Sequence, residues 1–461
     1  MNIPKLICLI IFLILFSYIK TSPIKLEFKS GLCKGNENSE FLGNYYNQYI
    51  FTTISIGSNN QKLDLALKLN RYITYMIGSE NSKLKSKYFN EKESNTYQKL
   101  SDENIESRED EFFGSYKSSD NIIFNDNLKI NNYIFFLSQK QQYFDETGHI
   151  GLKMLPDNLN KKQFISLDFI SQLKSKSLIN SYYFYFKYNL INENDFKFEG
   201  NLIIGATPHE YEKSDLFQEK NFRETYAKID EVYNTRWNLD FLEVKYDNKI
   251  ISKNDLCEFS TTFGFIVAPV SFIDIYNEFF NRTGCYGKYN GDEDEKKYMY
   301  LYCEENIDIT KFKNIIFTTK NKEIKFVLTY KDLFKKIGNY NYFLILFNED
   351  INEWILGHIF LNKYTIVFNT EKRTIGYYLD PLSESDNTSE NKKKSNSYII
   401  FIVLSVIFLL VIIGLLVYIF YFRPRNRKIR PNELEENFDY TSNNEDNNNI
   451  NNSQDNSKLG V

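Results

Sequence analysis

The chain has 461 residues, with 42% hydrophobic and 17% aromatic content, enough for two to three domains or one large two-lobed one. A formal net charge of −4 argues against a nucleic-acid surface. Three histidines (His149, His209, His358) make a His-built metal site a poor expectation, the lack of any CxxC pair argues against structural zinc, and no cofactor is expected. The excess of Asn, Lys, Ile, Tyr and Phe over Ala reads as a coding bias.

Residues 1–21 carry Lys5 and then an apolar stretch over 6–19, which predicts a secretory signal too short for a comfortable membrane span; an uncleaved anchor is the alternative. A short presegment follows over 22–42. From 43 to 379, short apolar runs alternate with polar turns. Examples are Tyr49-Ile50-Phe51-Thr52-Thr53-Ile54-Ser55-Ile56, Tyr133-Ile134-Phe135-Phe136-Leu137 and Asn201-Leu202-Ile203-Ile204-Gly205. Such runs, bounded by Gly, Asn and Asp, predict a mainly β domain. Apolar spacing near i, i+3, i+4 predicts helices over 167–178 and 270–280. Polar insertions are expected over 82–110 and 288–297, and a stalk over 381–397. Residues 398–422 contain no charge and predict a transmembrane helix. Arg423, Arg425, Arg427, Lys428 and Arg430 follow directly, whereas Lys392–Lys394 before it are diluted by Glu384, Asp386 and Glu390. The bias puts the C-terminus in the cytoplasm, with 423–461 as a disordered tail. The expectation is a single-pass protein of the secretory pathway or plasma membrane, its N-terminal domain luminal or extracellular.

Once the signal is removed, Cys33, Cys257, Cys285 and Cys303 remain, on the side where disulfides persist. Four cysteines allow three pairings. Cys285–Cys303 is preferred because a short loop closes at low entropy cost. Asn281-Arg282-Thr283 and Asn387-Thr388-Ser389 are glycosylation sequons.

The run Trp354-Ile355-Leu356-Gly357-His358-Ile359-Phe360-Leu361, followed by Lys363-Tyr364-Thr365-Ile366-Val367-Phe368, resembles W-I-L-G-D-x-F-L-x-x-Y-x-x-x-F-D. That stretch is the last strand, turn and short helix of pepsin-like aspartic proteases. Further matches follow in order. Residues 45–57 with Gln61 are similar to the family's opening strand pair, and Gly148-His149-Ile150-Gly151-Leu152 to D-G-I-L-G-L. Residues 166–186 resemble F-x-x-L-x-x-Q-x-L-I-x-x-x-x-F-S-F-Y, and Gly200-Asn201-Leu202-Ile203-Ile204-Gly205 resembles G-x-L-x-x-G-G. Trp237-Asn238-Leu239 and Ile266-Val267-Ala268-Pro269 are similar to second-lobe segments. The resemblance, to membrane-anchored plasmepsin-like members in particular, implies a mainly β, bilobal pepsin-like fold. Its lobes would be 22–215 and 216–380, with the transmembrane helix beyond.

The chemistry implied needs one aspartate from each lobe, each in a D-T-G motif, sharing a proton and holding the attacking water. Counted along the family pattern, the first aspartate falls on Lys68, in Leu67-Lys68-Leu69-Asn70, and the second on Ser260, in Ser260-Thr261-Thr262. Thr261 alone matches either triplet. Asp64 and Asp255 are the nearest carboxylates, and neither precedes Thr-Gly; alternation with Leu63 and Leu65 points Asp64 to solvent. The mobile hairpin tip is reduced to Phe113-Gly114-Ser115. The structural glycines behind the two loops, Gly151 and Gly357, remain, and His358 stands where the family has an aspartate.

No catalytic residue is therefore expected. The first reading is a catalytically inactive, membrane-anchored module that binds a protein or peptide. The alternative is an aspartic endopeptidase with unrecognised catalytic residues, and a third reading is a structural or assembly factor that binds an active protease or another ectodomain. A Ser260/Lys68 dyad assisted by His358 is conceivable chemistry, but it needs a new oxyanion hole. The aromatic runs over 182–186 and 340–344 read as strand faces, not as a ligand platform.

Overall fold

Ile24, Leu26 and Phe28 alternate with Lys25, Glu27 and Lys29, and the alternation makes Ile24–Leu32 a strand with one buried face. The presegment expected at 22–42 thus contributes to the fold. This strand lies between two others, pairing antiparallel with Glu199–Ile204 on one side and with Gln48–Ile56 on the other. The structure, a computed structural model, describes residues 22–32, 48–79, 88–101, 115–125, 128–138, 148–154, 167–189, 197–228, 236–269, 272–273, 276–281, 283–290, 298–321 and 324–379. The expected signal, stalk, span 398–422 and tail 423–461 lie outside the described residues, as do Cys33 and the pair Phe113-Gly114. Among the described residues no helix is long and apolar enough to cross a membrane.

The architecture is mainly β with two lobes, built on two large sheets. The first sheet gathers the strands up to Phe222–Tyr226 and is completed by Val367–Asn369 and Thr374–Tyr378 from the end of the fold. The second runs from Asn238–Tyr246 to Trp354–Leu356. One apolar cluster spans both, with Phe184 of the first lobe stacked on Phe368 at 5.1 Å and edge-on to Trp237 at 6.1 Å.

A strand motif occurs twice. In the first lobe, His149–Gly151 runs parallel to Gln61–Lys68, with Lys68 opposite Gly151, while Tyr75 pairs antiparallel with His149. In the second, Trp354–Leu356 runs parallel to Lys249–Phe259, with Phe259 opposite Leu356, while Val267 pairs antiparallel with Ile355. Parallel neighbours in an otherwise antiparallel sheet need a crossover. Here the crossover leaves one loop in each lobe, after Lys68 and after Phe259.

Several local expectations are refined. The helix predicted over 167–178 is Phe169–Ser175, because Asp168 caps its start by accepting from the Ser171 amide at 2.8 Å. Of the stretch 270–280, Asn277–Phe280 is helical. Residues 88–101, inside the predicted polar insertion, are held to the fold: Phe89 is fully buried, and Ser94 and Thr96 donate to Asp120. In the run 182–186, Phe184, Tyr185 and Phe186 are all buried, since this strand is covered on both faces. Tyr340–Phe343 does alternate. Cys285 and Cys303 face each other across adjacent strands and form a disulfide, whereas Cys257 is a buried thiol.

Candidate functional site

The two crossover loops meet. Thr261 Oγ1 donates to the Leu67 carbonyl at 2.6 Å and accepts from the Leu69 amide at 3.2 Å. These groups straddle Lys68, and Ser260 immediately precedes Thr261, so the contact brings both predicted positions to one seam between the lobes. Each is fixed by its own lobe. The Lys68 carbonyl accepts from the Leu152 amide at 2.8 Å, and the Ser260 amide donates to the Leu356 carbonyl at 3.1 Å. Ser260 Oγ accepts from the Thr262 amide at 3.2 Å. Lys68 is only 4% exposed, and its Nζ lies 4.9 Å from the centre of the Tyr49 ring, within cation–π range.

Gly151 and Gly357 back these loops. A Cβ on Gly151 would lie 2.5 Å from the Ile73 nitrogen, and one on Gly357 would lie 2.1 Å from the Phe265 oxygen. Both obstacles are backbone, so each loop approaches its supporting strand more closely than any side chain permits.

His358 opens the helix His358–Lys363 and is fully buried. Its amide donates to the Phe263 carbonyl at 3.0 Å. Its ring faces the first lobe, with Nδ1 hydrogen-bonded to the Tyr188 hydroxyl at 2.7 Å and the ring 4.9 Å from that of Phe198. Burial holds the Tyr188 phenol well above its ordinary pKa. The imidazole is thus engaged as a structural tie between lobes. His149, opposite Ala66, stacks on Tyr75 at 5.4 Å. Burial first, then the charges of Lys68 and Arg71, push its pKa well below the ordinary imidazole value, so it is neutral.

Neither nearby aspartate belongs to a loop. Asp64 accepts from the Thr53 hydroxyl across the strand pair at 2.6 Å, and half-buried Asp255 sits opposite Phe241, its pKa raised by burial. No motif marks Glu258, which is buried two residues before Ser260 and paired with Arg236 at 2.8 Å. Burial raises its pKa and Arg236 opposes the rise. Trp237, next to Arg236, donates from Nε1 to the Leu152 carbonyl at 2.9 Å and so ties the second lobe to the first. At the third place of each loop, Asn70 Oδ1 and Thr262 Oγ1 are shielded from solvent and meet no hydrogen-bond partner among the described residues.

A basin of about 860 Å³ opens elsewhere, against the strand Ile24–Leu32, lined by residues that include Lys25, Lys29, Phe51 and Asn201; Lys68, Ser260 and His358 do not line it. At the seam, by contrast, both lobes contribute side chains. Among the described residues, no group of three or more His, Cys, Asp and Glu could hold a metal.

The family model for eukaryotic aspartyl proteases matches residues 48–378. That is well over half of the chain, and the chain belongs to this family. No curated protein matches it.

Proposed function

We propose that this aspartyl protease family member binds peptide or protein segments at its lobe seam and does not cut them. One observation carries the reading. The threonine contact that joins the two loops is flanked by Lys68 and Ser260, which supports the reading that an amine and a hydroxyl stand where the family's chemistry calls for two carboxylates. A pair of carboxylates shares a proton and leaves one as a base; an ammonium has no such capacity, and a serine hydroxyl alone is a poor base. We further propose that the ectodomain is carried on the span 398–422 and faces the lumen or exterior, which accords with the disulfide Cys285–Cys303.

The second reading, an active endopeptidase, is kept because the family is a protease family. The test is to incubate the purified full-length chain with a casein digest between pH 3.5 and 7 and identify new termini by mass spectrometry. The binding reading expects none, together with retention of peptides on the immobilised protein. New termini that vanish with a statine inhibitor would establish the protease instead.

A further inference from the structure

The second lobe presents a row of tyrosines that the seam does not use. The strand Cys285–Asn290 pairs antiparallel with Tyr298–Glu304, which pairs in turn with Tyr340–Phe343. The register sets Tyr286 opposite Tyr302 and Tyr302 opposite Tyr342, so these side chains stand on one face. Cys303 and Asn341, one residue along, are buried on the other. The Tyr286 and Tyr342 rings each lie 5.4 Å from that of Tyr302, and Tyr340 meets it edge-on at 5.3 Å. Tyr286 is 44% exposed and Tyr340 38%. The row leaves apolar ring surface in water, at a cost that a covering group removes.

The turn that leads into this strand carries Asn281-Arg282-Thr283, an acceptor signal for N-linked glycosylation. The fold displays it. Phe279 and Phe280 anchor the preceding helix, Asn277–Phe280, in the core, and the Asn281 amide donates to the Asn277 carbonyl at 2.8 Å. Asn281 and Thr283 themselves are exposed. Gly284 joins the turn to the tyrosine row. Its carbonyl accepts from the Glu304 amide at 2.7 Å, and a Cβ on it would lie 3.4 Å from Glu304 Oε2. Glu304 Oε1 accepts from the Tyr286 hydroxyl at 2.8 Å. Asn281 is three Cα steps from Gly284, hence no more than about 11 Å away, within reach of two linked sugars.

An N-acetylhexosamine has a face of C–H groups that stacks on an aromatic ring, and a rim of hydroxyls. The row offers a partner for each: ring surface at Tyr286 and Tyr340, and polar atoms in the Tyr286 hydroxyl and the Glu304 carboxylate. A protein docking on the row would have to pass whatever Asn281 carries.

We infer that Asn281 bears an N-linked glycan and that its first sugars cover Tyr286 and Tyr340. The inference rests on the luminal or exterior placement proposed above, and not on the binding reading. Attachment joins Asn281 Nδ2 to the anomeric carbon of an oligosaccharide that a membrane transferase takes from a lipid pyrophosphate. The bond from that carbon to the pyrophosphate oxygen breaks, the pyrophosphate leaves with the electron pair, and the displaced amide proton passes to solvent.

The test expresses the full-length chain in a eukaryotic cell line. Protease protection in microsomes reports placement. Glycosidase release in heavy-oxygen water, read by mass spectrometry, marks each modified asparagine as a labelled aspartate. Asn281 should be marked, Thr283→Ala should abolish the mark, and Thr283→Ser should keep it. Thermal unfolding then reports the contact. Removing the glycan, by Thr283→Ala or equally by Asn281→Gln, should lower Tm by about 2 °C. In a Tyr286→Ser, Tyr340→Ser background the same removal should leave Tm unchanged. Protection of the domain with Asn281 unmarked overturns the inference and leaves the placement standing. An unprotected domain with Asn281 unmarked overturns both. An equal loss of Tm in the two backgrounds overturns the contact between sugar and tyrosine.

Discussion

In the second lobe, the loop after Lys249–Phe259 presents Thr261, whose hydroxyl crosses the seam to grip the chain on either side of Lys68. In the first lobe the matching place holds Leu69, whose buried side chain has no hydrogen bond to return. The contact is one-sided, yet the two loops stay in register. Both sit on a close-packed glycine and the same parallel strand pairing. The difference teaches that the scaffold and the chemistry of this fold are separable. Backbone packing and a single threonine align the loops, and the side chains at the tips are left to vary.

The harshest way to break the comparison is to remove the shared support. Gly151→Ala and Gly357→Ala each drive a methyl group into backbone, and each should cost about 3 kcal/mol or more. Gly357 should suffer more, since its obstacle lies at 2.1 Å against 2.5 Å for Gly151. Chemical denaturation of the two variants measures both costs; similar stability to the parent would contradict the close-approach argument. Next in size is the asymmetric contact itself. Thr261→Val keeps the shape, removes the hydroxyl and strands the Leu67 carbonyl and Leu69 amide, for a loss of about 2–4 kcal/mol. Thr261→Ser, which keeps the hydroxyl, should lose less than half of that, and equal losses would show that the methyl group, not the hydrogen bonds, matters.

The smallest effect separates the lobes by pH. Asp168 bridges to Ile73 behind the first loop, and burial raises its pKa from 3.8 to about 6 against the opposing Ser171 hydrogen bonds. The helix behind the second loop begins at Gly357, which has no carboxyl. Between pH 3.8 and about 6 the folded chain keeps a proton that the unfolded chain has released. Stability from this group is therefore present in acid and declines as pH rises through that window, by up to about 1.4 kcal/mol per pH unit. Asp168→Asn retains a capping oxygen and should flatten that part of the stability-versus-pH curve. An unchanged slope would mean that Asp168 titrates normally.

How much of this could be read from the sequence depended on range. The Trp354 run, the glycines and the short disulfide loop are local signals. Positions counted from Gln61 and Pro269 fell on Lys68 and Ser260, which flank the Thr261 contact. Ile24–Leu32 showed a clean alternation, but a strand is defined by its partners, and one of them, Glu199–Ile204, lies far along the chain. Residues 88–101 looked like polar filler because one ring, Phe89, anchors them. The ties from His358 to Tyr188, from Arg236 to Glu258 and from Trp237 to Leu152 join residues that the chain keeps apart or gives no pattern to pair.

A crystal structure of residues 22–380 at a resolution that distinguishes Lys from carboxylate-bearing side chains tests the central claim most directly. The account predicts the Lys68 ammonium and the Ser260 hydroxyl on either side of the Thr261 contact. Two carboxyl groups within hydrogen-bonding distance of one shared water between the lobes would contradict it.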